Sequence, residues 1–322
     1  MIKRFEIADN RVVECTEGPG RILVAIAPDN GERTAIGEEF RLDEYNLNST
    51  LDPDEVPRLE VSDGRVLLIW KVPERAIVSE APELGVNVVG LAMVKARLAF
   101  VAPRFDVSFE EREFRKLEDT LDAMLTFLLR TVRHFVGHLR VIRQISNEVE
   151  KKITVSMENK HLLQMFALSE SLVYYLDAIE GNAAVLGKLR SVGDQIGFQG
   201  RHLEMLDDII LENAQAARQA SIYSSVLSGL MDARGTVVNN NMNVLLKNLT
   251  LINIVFLPLN LIAGIGGMSE WSMMTKGTDW RISYGLFCLA MVIFGWGTWV
   301  FMRKVVDRSL PRAAEHAAAK SA

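Results

Sequence analysis

The residues best placed to do chemistry form a polar stripe inside an apolar stretch. Asp232, Asn239, Leu246, Asn253 and Asn260 recur every seven residues, with Thr236, Asn243, Thr250 and Leu257 interleaved at the same interval. On one helix this spacing makes a single narrow face of amides, hydroxyls and a few bulky apolar side chains. An amide in hydrocarbon is costly and is kept where it meets a partner helix or a polar pathway. The stripe therefore reads as the lining of a pore.

A helix must carry that stripe, and the chain supplies a long one. From Arg201 the pattern stays helical without a proline until Pro258. Some 65 residues would span about 100 Å at 1.5 Å per residue. Such a length points to a stalk helix (201–244) that continues into a first membrane span (245–267). The second span, 282–302, has no charged side chain and lies between Trp280 and Trp299, as interfacial aromatics do. Arg303, Lys304, Arg308 and Arg312 follow it in a basic tail, 303–322. Positive charge marks the cytoplasmic side, so both termini are expected there, with the loop 268–281 facing outward. Two helices cannot enclose a pore, and a lipid-facing amide stripe is untenable. The first span must therefore meet copies of itself or another chain; for identical subunits closed rotational symmetry would put the stripe at the axis. Gly285, Gly295 and Gly297 would let the second span pack closely around it.

The remaining three quarters read as a soluble body. Residues 1–105 alternate apolar segments with turn signals, as a mixed α/β domain does. Strand candidates are Arg21–Pro28, closed by a turn at Asp29-Asn30-Gly31, Val66–Trp70 and the run Asn87–Pro103; Leu42–Asn48 is a short helix. Residues 106–200 hold long amphipathic helices. The first runs from Ser108, capped by a Ser108/Glu111 box, to about Lys152; the second runs from about Ser156 to Arg190, with an interruption at Gly181. A net charge of −5 argues against nucleic acid as the main partner. Cys15 and Cys288 make neither a disulfide framework nor a CxxC site, and the N-terminus has no apolar signal region. Gly18-Pro19-Gly20 is a turn, not a phosphate cradle, because no GK[ST] or GxGxxG follows. No nucleotide motif or catalytic triad is present, so the chain does not read as an enzyme.

Several smaller constellations have plain structural readings. His134 and His138 lie four apart on a helix without an HExxH pattern, which favours a packing or solvated pair. Asp207 and Asp208, with Glu204 and Glu212, form an acidic helix face. Met273-Met274 reads as loop packing, and Arg303-Lys304 as a topology determinant.

The run from Leu230 to Ser269 resembles the stalk end and first span of the CorA family of divalent-cation channels. The likeness rests on the NNNMN turn, Lys247, Thr250, Phe256-x-Pro258-Leu259, Leu261-Ile262-Ala263-Gly264-Ile265 and Gly267-Met268 in one ungapped register. Fainter matches are Asp52, Pro57-Arg58-Leu59-Glu60 and Lys71-Val72-Pro73-Glu74. The resemblance implies an α+β (αβα) funnel, a very long stalk helix entering a two-helix hairpin, and a homopentamer in the inner (plasma) membrane. Its pore-lining positions fall on Asn243, Leu246, Leu249, Leu257 and Asn260, with Asn253 on the same stripe. Asp232 would face the axis nearer the cytoplasm, and Asp207 and Asp208 occupy the register of regulatory metal sites. At the pore mouth the family's Gly-Met-Asn is here Gly267-Met268-Ser269, followed by Glu270. A ZntB-like, zinc-transporting branch also departs at this triplet. The expected substrate is Mg²⁺ or Zn²⁺, with Co²⁺ and Ni²⁺ as further candidates. Divalent cations would also serve as regulators, and no covalent cofactor is implied. The competing reading is a membrane-anchored scaffold or metal sensor whose spans only oligomerise.

Overall fold

Alternating side chains along the strands decide the layers of the first part of the molecule. The computed structural model describes residues 1–15, 18–62, 64–74, 84–104, 109, 114, 116–155, 159–267, 273, 276–277 and 279–320. Strands β1 (Ile2–Ala8), β2 (Arg11–Glu14), β3 (Ile22–Ile26), β4 (Arg58–Ser62), β5 (Arg65–Pro73), β6 (Val86–Val94) and β7 (Arg97–Ala102) form one seven-stranded sheet in the order β2-β1-β3-β7-β6-β5-β4. All neighbours are antiparallel except β3 and β7. On one face Leu23, Ala25, Leu67, Ile69, Val88, Ala99 and Val101 pack under α1 (Asn30–Phe40) and α2 (Glu44–Ser49). On the other, Ile22, Val24, Leu68, Trp70, Leu91 and Phe100 meet α3 (Thr120–Val155), α4 (Asn159–Ser191) and the start of α6 (Gly200–Gly266). A short α5 (Gly193–Ile196) links α4 to α6. The period of two thus produces a helix–sheet–helix sandwich. Beyond the sheet, α3, α4 and α6 continue as a bundle around Phe135, Leu139, Leu172, Tyr175, Ala216 and Ala220.

Polar groups tie the layers together at defined points. The Asn182 amide on α4 accepts from the Lys71 N–H (3.0 Å) and donates to the Lys71 carbonyl (2.9 Å), pairing with β5 as a strand would. Lys188 Nζ donates to the Leu59 carbonyl at 2.7 Å. Gly181 lets α4 pass close to Pro57: a Cβ there would come within 2.8 Å of the proline ring.

Four sequence expectations are corrected here. Asp29-Asn30-Gly31 is a helix start, not a turn: the Asp29 side chain accepts from the Glu32 N–H (2.8 Å) and Glu32 from the Asp29 N–H (3.0 Å), a reciprocal cap for α1. The run Asn87–Pro103 folds back between Val94 and Arg97, making two strands. Helix α3 begins at Thr120, capped by Asp119, whose carboxylate accepts from the Asp122 N–H at 2.8 Å. The expected Ser108/Glu111 cap lies outside the described residues. Ahead of α3, Phe114 and Leu117 are spent on the core beside Phe109. Gly181 does not interrupt α4, because it serves the approach to Pro57.

The chain divides into two units, Met1–Asp232 and Ala233–Ala322. The second holds the C-terminal part of α6 and the helix α7 (Trp280–Lys320). Helix α6 runs unbroken through Pro258, which has no N–H to offer the Ile254 carbonyl.

Candidate ion-conduction face

Within the second unit, α7 covers one side of α6 and leaves the other bare. The half-buried residues of α6 are Leu251, Val255, Pro258, Leu259, Ile262 and Gly266, at three- and four-residue spacing. A Cβ on Gly266 would lie 2.7 Å from the Phe287 ring, so glycine is required for that approach. On α7 the half-buried set is Ser283, Phe287, Met291, Gly295, Thr298 and Val300. A Cβ on Gly295 would sit 3.3 Å from Leu259, in keeping with the close packing expected of it, whereas Gly285 and Gly297 face open space. The Thr298 hydroxyl is satisfied within its own helix by the Phe294 (3.0 Å) and Gly295 (2.9 Å) carbonyls. Ile262, Phe287, Ala290, Met291 and Phe294 line a small apolar cavity of about 180 Å³ between the two helices.

Every stripe residue lies on the uncovered side. Asn243, Leu246, Leu249, Asn253, Leu257 and Asn260 are all exposed, Leu257 at 72%. At about 100° per residue their mean direction is roughly 180° from the α7-facing set. Amides and leucines thus share the face that no described element covers, while α7 takes the all-apolar one. Both α6 and α7 contain segments long and apolar enough to cross a membrane, the second at Trp280–Phe301. The Thr250 hydroxyl bonds back to the Leu246 carbonyl at 2.8 Å. Gly267 closes α6, its N–H shared between the Ala263 (3.1 Å) and Gly264 (3.3 Å) carbonyls. Met268, Ser269 and Glu270, the rest of the expected pore mouth, lie outside the described residues.

The expected metal ligands of the first unit are not brought together within one chain. Asp207 is held by Arg190 at 2.7 Å, and Asp208 and Asp232 are exposed on α6. Among the described residues, one group of three potential ligands converges: Asp119, Asp122 and His202. Sequence reading missed it, although Asp119-x-x-Asp122 is a helix-start pattern. His202 Nε2 lies 3.4 Å from Asp119 and 3.2 Å from Asp122, and Arg201 contacts both carboxylates. Burial, with the Asp119 charge beside it, pushes the Asp122 carboxyl up. His134 and His138 are a packing pair, with ring centroids 5.3 Å apart. His138 Nδ1 shares a hydrogen bond with the Tyr175 hydroxyl (2.7 Å). Burial, then the neighbouring His134, lowers His138 to about 4, and burial raises Tyr175.

Comparison with known proteins identifies the family and the fold. The family model described as CorA-like Mg²⁺ transporter protein matches residues 21–304. A protein of Methanocaldococcus jannaschii named cobalt/magnesium transport protein CorA is 21% identical over 248 residues, covering 75% of this chain and 77% of its own. The complete structure of the CorA magnesium transporter from that organism superposes with a TM-score of 0.73 at 18% identity, covering 94% of this chain and 96% of the other. The cytoplasmic domain of ZntB from Vibrio parahaemolyticus shares the fold of the first part, with a TM-score of 0.57 at 10% identity over 74% of this chain and 98% of the other. The match over residues 21–304 takes in strands β3 to β7, the helical bundle and the apolar segments of α6 and α7, and this chain belongs to the CorA-like Mg²⁺ transporter family.

Proposed function

We propose that this protein transports divalent cations across the cell's inner (plasma) membrane through a pore lined by the bare face of α6. The observation that carries the reading is the opposition of faces. Asn243, Leu246, Leu249, Asn253, Leu257 and Asn260 point away from α7, where only further copies of α6 can keep the amides out of lipid. Closed rotational symmetry about the stripe is the economical solution, and a homopentamer with cytoplasmic termini follows the family. Rings of Leu246, Leu249 and Leu257 would close the path by excluding water, and rings of Asn243, Asn253 and Asn260 would hold the ion's hydration shell. Magnesium sheds its waters reluctantly, so recognition through amide oxygens suits it. The names of the relatives favour Mg²⁺ and Co²⁺ over Zn²⁺ as the cargo. Gly267, Met268, Ser269 and Glu270 would form the outer mouth, with a serine hydroxyl where the family carries an amide. Asp207 and Asp208 would bind regulatory metal across a subunit interface, and Asp232 would face the axis. Membrane potential supplies the drive: a divalent cation gains about 4.6 kcal/mol per 100 mV.

Purified protein in liposomes should take up Mg²⁺ and Co²⁺ under an inside-negative potential, with Ni²⁺ and Zn²⁺ measured alongside. Absence of uptake for all four ions, in protein that retains its oligomer, would leave an oligomeric scaffold as the function. Ser269→Asn should shift the preference among these ions; an unchanged order would remove the triplet from the selectivity mechanism.

A further inference from the structure

Three side chains from two helices of the first unit meet where α6 begins. Asp119 caps α3, Asp122 lies in the first turn of α3, and His202 lies in the first turn of α6. Backbone donors hold both carboxylates in place. Asp119 Oδ1 accepts from the Asp122 N–H and Asp122 Oδ2 from the Glu118 N–H, each at 2.8 Å. The other two oxygens, Asp119 Oδ2 and Asp122 Oδ1, turn to His202 Nε2 at 3.4 and 3.2 Å. His202 is 1% exposed, yet Nε2 makes no hydrogen bond.

A buried polar atom without a partner is costly and calls for an explanation. The distances supply one: a tetrahedral ion with bonds of about 2.0 Å sets its ligand atoms about 3.3 Å apart. Charge points the same way. Glu118, Asp119 and Asp122 are three carboxylates in contact with one guanidinium, that of Arg201. With a neutral imidazole, three negative charges against one positive leave the group short of two positive charges.

We propose that Asp119, Asp122 and His202 bind a transition-metal dication of the zinc class, which clamps the start of α3 to the first turn of α6. One imidazole nitrogen with two carboxylate oxygens suits Zn²⁺ or Co²⁺, whereas Mg²⁺ takes an octahedral shell of oxygens. Three protein ligands leave a fourth position to water. Arg201 can stay where it is, because an ionised carboxylate offers about four lone-pair sites. His202 Nδ1 accepts from the Gln199 N–H at 3.0 Å, which puts the ring proton on Nε2. The ion takes the Nε2 lone pair, the proton moves to Nδ1, and the N–H of the exposed Gln199 turns to water. The loss is one helix cap, about fivefold in affinity. This site is separate from the cargo path and from Asp207 and Asp208, and it does not rest on the transport reading.

Zn²⁺ binding to the tag-free, full-length protein in detergent tests this. Equilibrium dialysis is run in excess Mg²⁺, which occupies all-oxygen sites, on a chain carrying Asp207→Asn and Asp208→Asn. One Zn²⁺ per chain should be retained, and it should raise the unfolding temperature. His202→Gln removes Nε2 but can still accept from the Gln199 N–H, so the cap on α6 is kept. In that variant, and in Asp122→Asn, Zn²⁺ affinity should fall by at least tenfold and the thermal shift should vanish. X-ray absorption at the zinc edge needs neither of these two variants: it should show one imidazole nitrogen among oxygen ligands. No retained Zn²⁺, equal retention in His202→Gln, or a zinc shell with no imidazole or several would overturn the site, whatever the transport activity.

Discussion

The two units of this chain treat apolar side chains in opposite ways. In Met1–Asp232 the largest cores are internal, with Trp70, Phe100, Phe127, Phe135 and Tyr175 all fully buried, although residues such as Leu163, Phe166 and Leu211 on the helices stay exposed. In Ala233–Ala322 residues of the same kind, among them Phe256, Leu257, Leu286, Trp296 and Phe301, are more than half exposed. Water would not tolerate the second arrangement, and lipid would not tolerate bare asparagines beside it. On the proposed reading, one side of the second unit meets hydrocarbon and another meets further copies of the chain. The first unit is stabilised by burial within one chain, while the second leaves large apolar side chains uncovered within it.

The sharpest way to break this contrast is to truncate an apolar side chain in each unit. Phe100→Ala should destabilise the first unit by about 3–5 kcal/mol, read as a lowered unfolding temperature. Leu257→Ala should leave that unfolding temperature within the ~0.5 kcal/mol typical of surface changes while altering cation flux. Equal thermal effects would mean that the two units do not differ as described.

The contrast can also be tested with acid. His138 is neutral in the folded first unit until pH falls to about 4, whereas an unfolded histidine takes its proton near pH 6.5. Between those values the unfolded chain binds more protons than the folded one, so stability is full above about pH 6.5 and falls as pH drops. The loss approaches roughly 3 kcal/mol at the low end of that window. His138→Gln, which can still accept from the Tyr175 hydroxyl, should flatten the dependence of unfolding temperature on pH; an unchanged slope would assign it to other groups. A smaller effect is expected at the α6–α7 contact. Gly266→Val should cost about 1–3 kcal/mol by driving a side chain into the Phe287 ring. Cross-linking between cysteines placed in α6 and α7 would detect the separation, and an unaltered yield would show that the contact has room to spare.

How far the sequence could be read follows the same divide. In the second unit a seven-residue period, a charge-free span and flanking tryptophans name both helices, since each signal is local. The opposition of the asparagine stripe to α7 needed only helical geometry once the packed face was known. In the first unit the limits were non-local or ambiguous. Strands β1, β2 and β4 are mixed in polarity, so their pairing partners, and not their composition, define them. Asp29-Asn30-Gly31 carries the same residue types whether it makes a turn or caps a helix. The meeting of Asp119 and Asp122 with His202 joins residues some eighty positions apart, which no spacing rule reveals. The pore mouth at Ser269 stays a matter of sequence alone.

The face of α6 opposite α7 is proposed to carry the ion. Cysteine substitution tests it most directly. In a Cys15→Ser, Cys288→Ser background, Asn253→Cys and Asn260→Cys would be compared with Val292→Cys on the exposed side of α7. A charged thiol reagent applied from the aqueous phase to liposomes transporting Mg²⁺ should label the two α6 positions and reduce uptake by about tenfold or more, as charge in a narrow path does. The α7 position should stay unlabelled in lipid with flux unchanged. Full labelling at Asn253→Cys and Asn260→Cys with undiminished uptake, or block through Val292→Cys instead, would contradict the account.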